Sequence, residues 1–198
     1  MTALILASAS QARANMLRAA GVEVETQPAR IDEAAVKAAM LAEGAPPRDV
    51  ADKLAELKAL RVSSKAPGRL VLGADQVLVH DGRLYDKAED MAEARAHLET
   101  LRGSRHDLLS AAVIALDGEP IWRHVGQARL TMRPFSDTFL DDYLARFGEL
   151  ALTSVGCYHL EGLGAQLFAR VEGDYFTVLG LPLLEVLGFL RARGVLTE

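Results

Sequence analysis

Short apolar runs and stretches of helical period succeed one another along this chain. Ala3–Ala7 reads as a first buried strand, leading into a helix from about Gln11 to Ala20 that Gly21 stops. Val22–Gln27 alternates weakly, as a second strand would. Asp32 and Glu33 open a short alanine-rich helix, with acids in the turn where the helix dipole favours them. Pro46 and Pro47 start the next helix, whose Val50, Leu54 and Leu57 form an apolar stripe with Lys58 on its flank. After Pro67 and Gly68, Leu70–Val79 is apolar on both faces, the mark of a central strand. Asp81 and Gly82 predict a tight hairpin returning through Arg83–Lys87. Met91, Ala94, Leu98 and Leu101 mark a helix ended by Gly103.

The second half opens with a strand over Leu108–Leu116, a turn at Asp117 and Gly118, and a partner strand from about Ile121 to Met132. Val125, Gln127, Arg129 and Thr131 alternate with apolar neighbours, which suits a sheet edge or a half-exposed face. Ser136–Phe147 reads as a helix with Ser136 as its N-cap, and a glycine-rich passage spans Val155–Gly164. A hairpin turning near Glu172, Gly173 and Asp174 is expected next, then a last helix starting at Pro182 and ending with Arg191, Arg193 and Gly194. There is no repeat, low-complexity segment or flexible linker, so residues 1–198 read as a single domain. Strands, helices and hairpins mixed in this way imply an α/β or α+β sheet rather than a strictly alternating parallel one.

Composition narrows the function classes. A net charge of −5 argues against a dedicated binder of nucleic acid or of anionic membranes, so any positive potential must be local. The one cysteine, Cys157, rules out an internal disulfide and a multi-cysteine zinc cluster. Ala3–Ala7 is too short for a signal-peptide core or a membrane span, and a cytoplasmic location is expected.

Against that acidic background the first strand-to-helix joint stands out. Ser8, Ser10 and Arg13 sit where free backbone N–H groups point outward, which together make an anion-binding corner. A capping box would place Glu or Gln three residues after Ser10, yet Arg13 stands there, at the helix end where the dipole disfavours a cation. An ordinary turn with a solvated arginine fits the same residues. Asp75 is the sharpest single candidate, because a carboxylate inside an apolar strand is costly unless paired, hydrogen-bonded or cation-bound. Gln76 points to the other face. Satisfaction of Asp75 by backbone amides is the structural alternative. Asp32 and Glu33 are ordinary helix-start acids by themselves, and Lys58 and Lys87 are ordinary lysines. Taken together, cations at Arg13, Lys58 and Lys87 with acids at Glu33 and Asp75 form the set that polyphosphate chemistry with a hard divalent metal needs. No Walker A, HExxH or G-x-S-x-G motif is present. Cys157 with His159, two apart on an expected strand, suggests a thiol hydrolase, but a small buried cysteine is the better reading. Tyr158 and Phe176 suit a core as well as a base-stacking role.

Six ordered motifs then resemble the Maf family of nucleoside triphosphate pyrophosphatases over nearly the whole chain. They are Leu6–Ser10 with Arg13, Ile31–Glu33, Ala55–Ala59 around Lys58, Gly73–Gln76 followed by Lys87, Gly156–Gly164, and Gly180–Leu183. The family's usual Ser-Pro-Arg-Arg is here Ser10, Gln11, Ala12 and Arg13, and its Lys-Pro is Lys87 and Ala88. Gln76 and Glu161 look like the branch that prefers 7-methyl-GTP, which also lacks the first of those arginines. A carboxylate can accept from guanine N1–H and its exocyclic amine, whereas a pyrimidine O2/O4 edge offers it only acceptors.

The resemblance implies a Maf/ITPase-like α/β fold, a bent mixed β-sheet flanked by helices with two lobes around a central cleft. It implies a cytoplasmic house-cleaning enzyme, often a homodimer, that hydrolyses a modified nucleoside triphosphate to the monophosphate and pyrophosphate. Glu33 and Asp75 would hold Mg²⁺ or Mn²⁺, with Asp75 also acting on the attacking water. Catalysis would rest on Asp75, Lys87 and Glu33; Ser8, Ser10, Arg13 and Lys58 would bind the triphosphate, and Gln76 and Glu161 would read the base. Two alternatives stay open: dTTP or UTP as the substrate, or a nucleotide-binding regulator of cell division that hydrolyses little.

Overall fold

The computed structural model describes residues 3–197. In chain order the elements are β1 (Leu4–Leu6), α1 (Gln11–Ala19), β2 (Val24–Thr26), α2 (Glu33–Ala42), α3 (Pro47–Ser63), β3 (Val71–His80), β4 (Arg83–Tyr85) and α4 (Met91–Leu101). There follow β5 (Arg105–Leu116), β6 (Glu119–Met132), α5 (Asp137–Phe147), β7 (Phe168–Glu172), α6 (Tyr175–Val178) and α7 (Leu183–Ala192). The strands form one mixed sheet in the order β2-β1-β3-β5-β6-β7, with β4 paired to β3. β1 runs parallel to both β2 and β3, whereas the β3–β4 and β6–β7 pairs are antiparallel. The chain divides into two compact units, and β3, β5 and β6 each contribute residues to both.

The first unit holds the chain up to Gln76, Leu109–Gly126, and the chain from Asp174 onward. Strand alternation decides what each face meets. Leu4, Leu6, Leu72 and Ala74 bury against Ala14 and Leu17 of α1 and against Val186 and Leu190 of α7. Ile5, Ala7 and Val71 bury against Val62 of α3. Gly73 shares the α3 face. A Cβ there would lie 2.1 Å from the Ala55 carbonyl oxygen and 2.6 Å from the Ala59 nitrogen, so only glycine lets α3 approach β3 this closely. Asp75, two residues further along the strand, therefore faces α3, and Gln76 faces the α1 side.

The second unit holds Val77–Leu108 and Gln127–Gly173. Asp81 and Gly82 have φ of 49° and 75°, the two positive values that a two-residue hairpin turn requires, and Val79 pairs with Leu84 across it. Ser136 caps α5 as expected, accepting from the Phe139 N–H at 3.2 Å. His106 is buried, its Nε2 2.7 Å from the Tyr158 hydroxyl, with Phe168 packed on both rings. Alternation along β6 buries Ala128, Leu130 and Met132 and exposes Gln127 and Arg129, which is a half-exposed face rather than an edge.

Several expectations are corrected. β7 turns back against β6 (Leu130↔Val171), and no hairpin forms near Gly173. Asp174 instead caps the short helix α6 through the Thr177 N–H at 2.7 Å, a start that lacks the length to show a helical period. Pro182 is the N-cap of α7 rather than its first residue. Cys157 and His159 lie on no strand. Cys157 has φ 58°, and the glycine-rich passage is wound into turns that lead into a 3₁₀ segment, Leu163–Leu167.

Candidate active site

Ser8 follows β1, and its buried hydroxyl accepts from the Ser10 N–H at 3.2 Å. Ser10 caps α1, accepting from the Arg13 N–H at 3.4 Å. The Arg13 side chain does not extend into solvent. It is 9% exposed; Nε donates to the Gly180 carbonyl at 2.8 Å, and Nη1 donates to Ser8 Oγ and the Ala74 carbonyl, both at 3.1 Å. Nη2 makes no hydrogen bond with a described residue. Burial lowers the guanidinium from its ordinary value, and the charges of Asp75 and Glu33 pull it back up.

The opposite face of β3 carries the acids. Lys58, buried on α3, donates to Asp75 Oδ1 at 2.7 Å and pairs with Glu33 Oε1 at 2.9 Å. Asp32 caps α2, with its carboxylate accepting from the Ala35 N–H at 3.0 Å, and this places Glu33 in the first turn. Asp75 Oδ2 is buried and has no hydrogen-bond partner. Such an oxygen is expensive in a folded protein. Burial raises the Asp75 carboxyl above its ordinary value, opposed by the positive charges of Lys58 and Arg13.

Among the described residues, no group of three or more His, Cys, Asp or Glu side chains is placed to hold a metal. The two carboxylates still fit a hard divalent cation, because Mg²⁺ is commonly bound by one or two carboxylates and completes its shell with waters and phosphate oxygens. Asp75 Oδ2, buried and without a hydrogen-bond partner, is the oxygen that such a cation would take up.

Thus Ser8, Ser10, Arg13, Glu33, Lys58 and Asp75 come together within the first unit, while Lys87 and Glu161 belong to the second, both exposed. Gln76 is held on the α1 face. Its Nε2 lies 3.0 Å from Ser110 Oγ, 3.1 Å from the Thr177 carbonyl and 3.0 Å from the Val178 carbonyl. Ser110 and the turn after α6 were missed as partners of this site. A lone serine inside the apolar run Leu108–Leu116 was the available signal for the first.

Two hydroxyls and a guanidinium at the start of α1, and a lysine-bridged acid pair on the α3 face of β3, thus lie within one α/β unit. Residues 3–193 match the Maf-like protein family, and the chain belongs to it. It is 57% identical over 197 residues to a protein of Caulobacter vibrioides named nucleoside triphosphate pyrophosphatase, covering 100% of this chain and 98% of that one. A protein of Roseobacter denitrificans with the same name is 57% identical, covering 96% of each chain, and one of Ruegeria pomeroyi is 53% identical, covering 98% and 97%. Among the described residues, no helix is long and apolar enough to cross a membrane.

Proposed function

We propose that this chain is a metal-dependent hydrolase that converts a nucleoside triphosphate to the nucleoside monophosphate and pyrophosphate, and that its preferred substrate is 7-methyl-GTP. The observation that carries the reaction is the buried Asp75 carboxylate, with one oxygen on Lys58 and the other unpaired. The names of the relatives supply the reaction class. Glu33 and Asp75 would hold Mg²⁺ or Mn²⁺, which when bound neutralises charge on the phosphate oxygens.

The chain's own residues do the rest. Asp75, its carboxyl raised by burial, orients the attacking water and takes its proton. The water oxygen forms a bond to the α-phosphorus, and the bond from that phosphorus to the bridging oxygen breaks. Pyrophosphate leaves with the bonding pair. Lys58 opposes the effect of burial on Asp75 and steers the phosphates. Arg13 offers its Nη2 edge to them, supported by Ser8 and Ser10, and Lys87 neutralises charge on the leaving group. Glu161 reads the base: a carboxylate accepts from guanine N1–H and the exocyclic amine, and it suits the positive ring of a methylated guanine. A cytoplasmic location and a homodimeric assembly belong to the same reading.

The test is pyrophosphate release with Mg²⁺ or Mn²⁺ across 7-methyl-GTP, GTP, dTTP, UTP and CTP, with Glu161→Gln alongside. Preference for 7-methyl-GTP that Glu161→Gln abolishes is the expected result. Preference for dTTP or UTP would keep the reaction and overturn the specificity. No release from any of the five would overturn the enzyme reading in favour of a nucleotide-binding regulator.

A further inference from the structure

The amide of Gln76 is oriented by chemistry. Its nitrogen end faces the Thr177 and Val178 carbonyl oxygens, at 3.1 and 3.0 Å, and carbonyls can only accept. Ser110, fully buried, donates its hydroxyl proton to the same Thr177 carbonyl at 2.8 Å, which leaves its lone pairs to accept from Gln76 at 3.0 Å. Both donor hydrogens of Gln76 are thus spent inside the protein. Its Oε1 lies on the Gly180 side: a Cβ built on Gly180 would be 3.7 Å from it and 3.5 Å from both Nε and Nη2 of Arg13. An oxygen is the end that belongs beside a guanidinium.

The segment gripped in this way is the turn that leaves α6. Asp174 fixes its start through the Thr177 N–H, and the Gly180 N–H returns to the Thr177 carbonyl at 3.1 Å. Gly180 has φ 103°, a conformation that side-chain-bearing residues rarely adopt, and its carbonyl receives Arg13 Nε at 2.8 Å. Arg13 is otherwise held by Ser8 and the Ala74 carbonyl, so the Gly180 carbonyl sets the tilt of the guanidinium plane and with it the direction of the Nη2 edge.

We propose that Gln76, locked by Ser110, is a positioning residue for Arg13: together they clamp the Thr177–Gly180 turn so that its last carbonyl aims the guanidinium at the anion. This rests on the reading of Arg13 as a triphosphate ligand. It gives Gln76 a role distinct from the base contact that the family resemblance implies. A base-reading glutamine would change the ranking of nucleotides when altered. A residue acting through Arg13 would weaken all triphosphates by one common factor, because they share the group that Arg13 binds.

The experiment is a double-mutant cycle read as kcat/KM on 7-methyl-GTP, GTP and UTP. Ser110→Ala should lower kcat/KM about fivefold and Gln76→Leu about tenfold, the scale of one or two lost buried hydrogen bonds, with the ratios between nucleotides unchanged. On an Arg13→Lys background, which lacks the Nε that reaches Gly180, the Ser110→Ala loss should shrink below about twofold, since residues acting through one another are not additive. A loss that differs among bases, or one that persists in full on the Arg13→Lys background, overturns the proposal. Ser110→Cys, whose thiol is a much weaker donor and acceptor than the hydroxyl, replaces Ser110→Ala if the latter does not fold. If the unaltered enzyme releases no pyrophosphate from any nucleotide, the proposed reaction falls, and the same cycle read as affinity for inorganic tripolyphosphate judges the clamp by itself.

Discussion

In the first unit Asp75 is 8% exposed at its side chain and feels the charges of Lys58, Arg13 and Glu33; in the second, Cys157 is fully buried and has a histidine and a glutamate in line with it. Cys157 Sγ is 3.9 Å from His97 Nδ1, and His97 Nε2 is 3.6 Å from Glu93 Oε1. On residue types alone, the second set is the more familiar catalytic one. Its environment decides against it. Burial pushes the Cys157 thiol up to about 12, so almost no thiolate exists at neutral pH. Asp75 is also raised by burial, but Lys58 and Arg13 counter the shift, and one carboxylate oxygen stays unpaired. The two sets differ in their charge partners and in the unpaired oxygen, not in how familiar their side chains are.

The comparison breaks most visibly at Asp75. Asp75→Asn keeps the volume and should lower kcat about 10³-fold with saturating metal and nucleotide, the scale of a lost general base. Near-normal turnover would remove Asp75 from that role. Gly73→Ala tests how Lys58 is brought to it. A methyl 2.1 Å from the Ala55 carbonyl cannot be accommodated without moving α3, so denaturant unfolding should show a loss of about 3 kcal/mol, at the upper end for overpacking.

His106, buried in the second unit, should affect stability. Burial lowers this imidazole from 6.5 to about 4, so the folded state holds it neutral where the unfolded chain would protonate it. Its contribution is therefore fully present above about pH 6.5 and is lost as pH falls toward 4, by on the order of 3 kcal/mol. Urea titrations at pH 7.5 and 4.5 should show that slope, and His106→Phe should flatten it. The smallest effect is expected at Cys157. Cys157→Ala should change kcat/KM by less than about twofold, and native protein should resist thiol-directed alkylation at pH 7 until unfolded. Fast alkylation with loss of activity would restore the thiol reading.

Much of the fold was legible because local chemistry and tertiary demand agree. Asp81–Gly82 and Asp117–Gly118 adopt the positive φ values that their sequence pattern requires. Ser136, Asp32 and Ser10 cap the helices they precede. β3 is central, between β1 and β5, as its two apolar faces demand. The failures are where the local signal is short or ambiguous. α6 has four residues, too few for a period, and Glu172–Asp174 has the composition of a hairpin turn whether or not a strand follows. Arg13 was legible as an anomaly, a cation at a helix start. That three oxygens already hold it could not be read from its neighbours in sequence, since two of those oxygens come from Ala74 and Gly180.

Read alone, the chain shows which residue types could meet a polyphosphate, where the capped helices α1, α2 and α5 start, and that β3 must be buried on both faces. Periodicity, capping and turn chemistry act within a few residues, so they are written locally. Only the tertiary structure decided which oxygens stay open. The Lys58–Asp75 pair and the Gln76–Ser110 grip on Thr177 join segments 17 to 101 residues apart, and Asp75 Oδ2 is left unpaired beside them. Side-chain satisfaction depends on which atoms burial brings within about 3 Å, and no pattern along the chain encodes that distance.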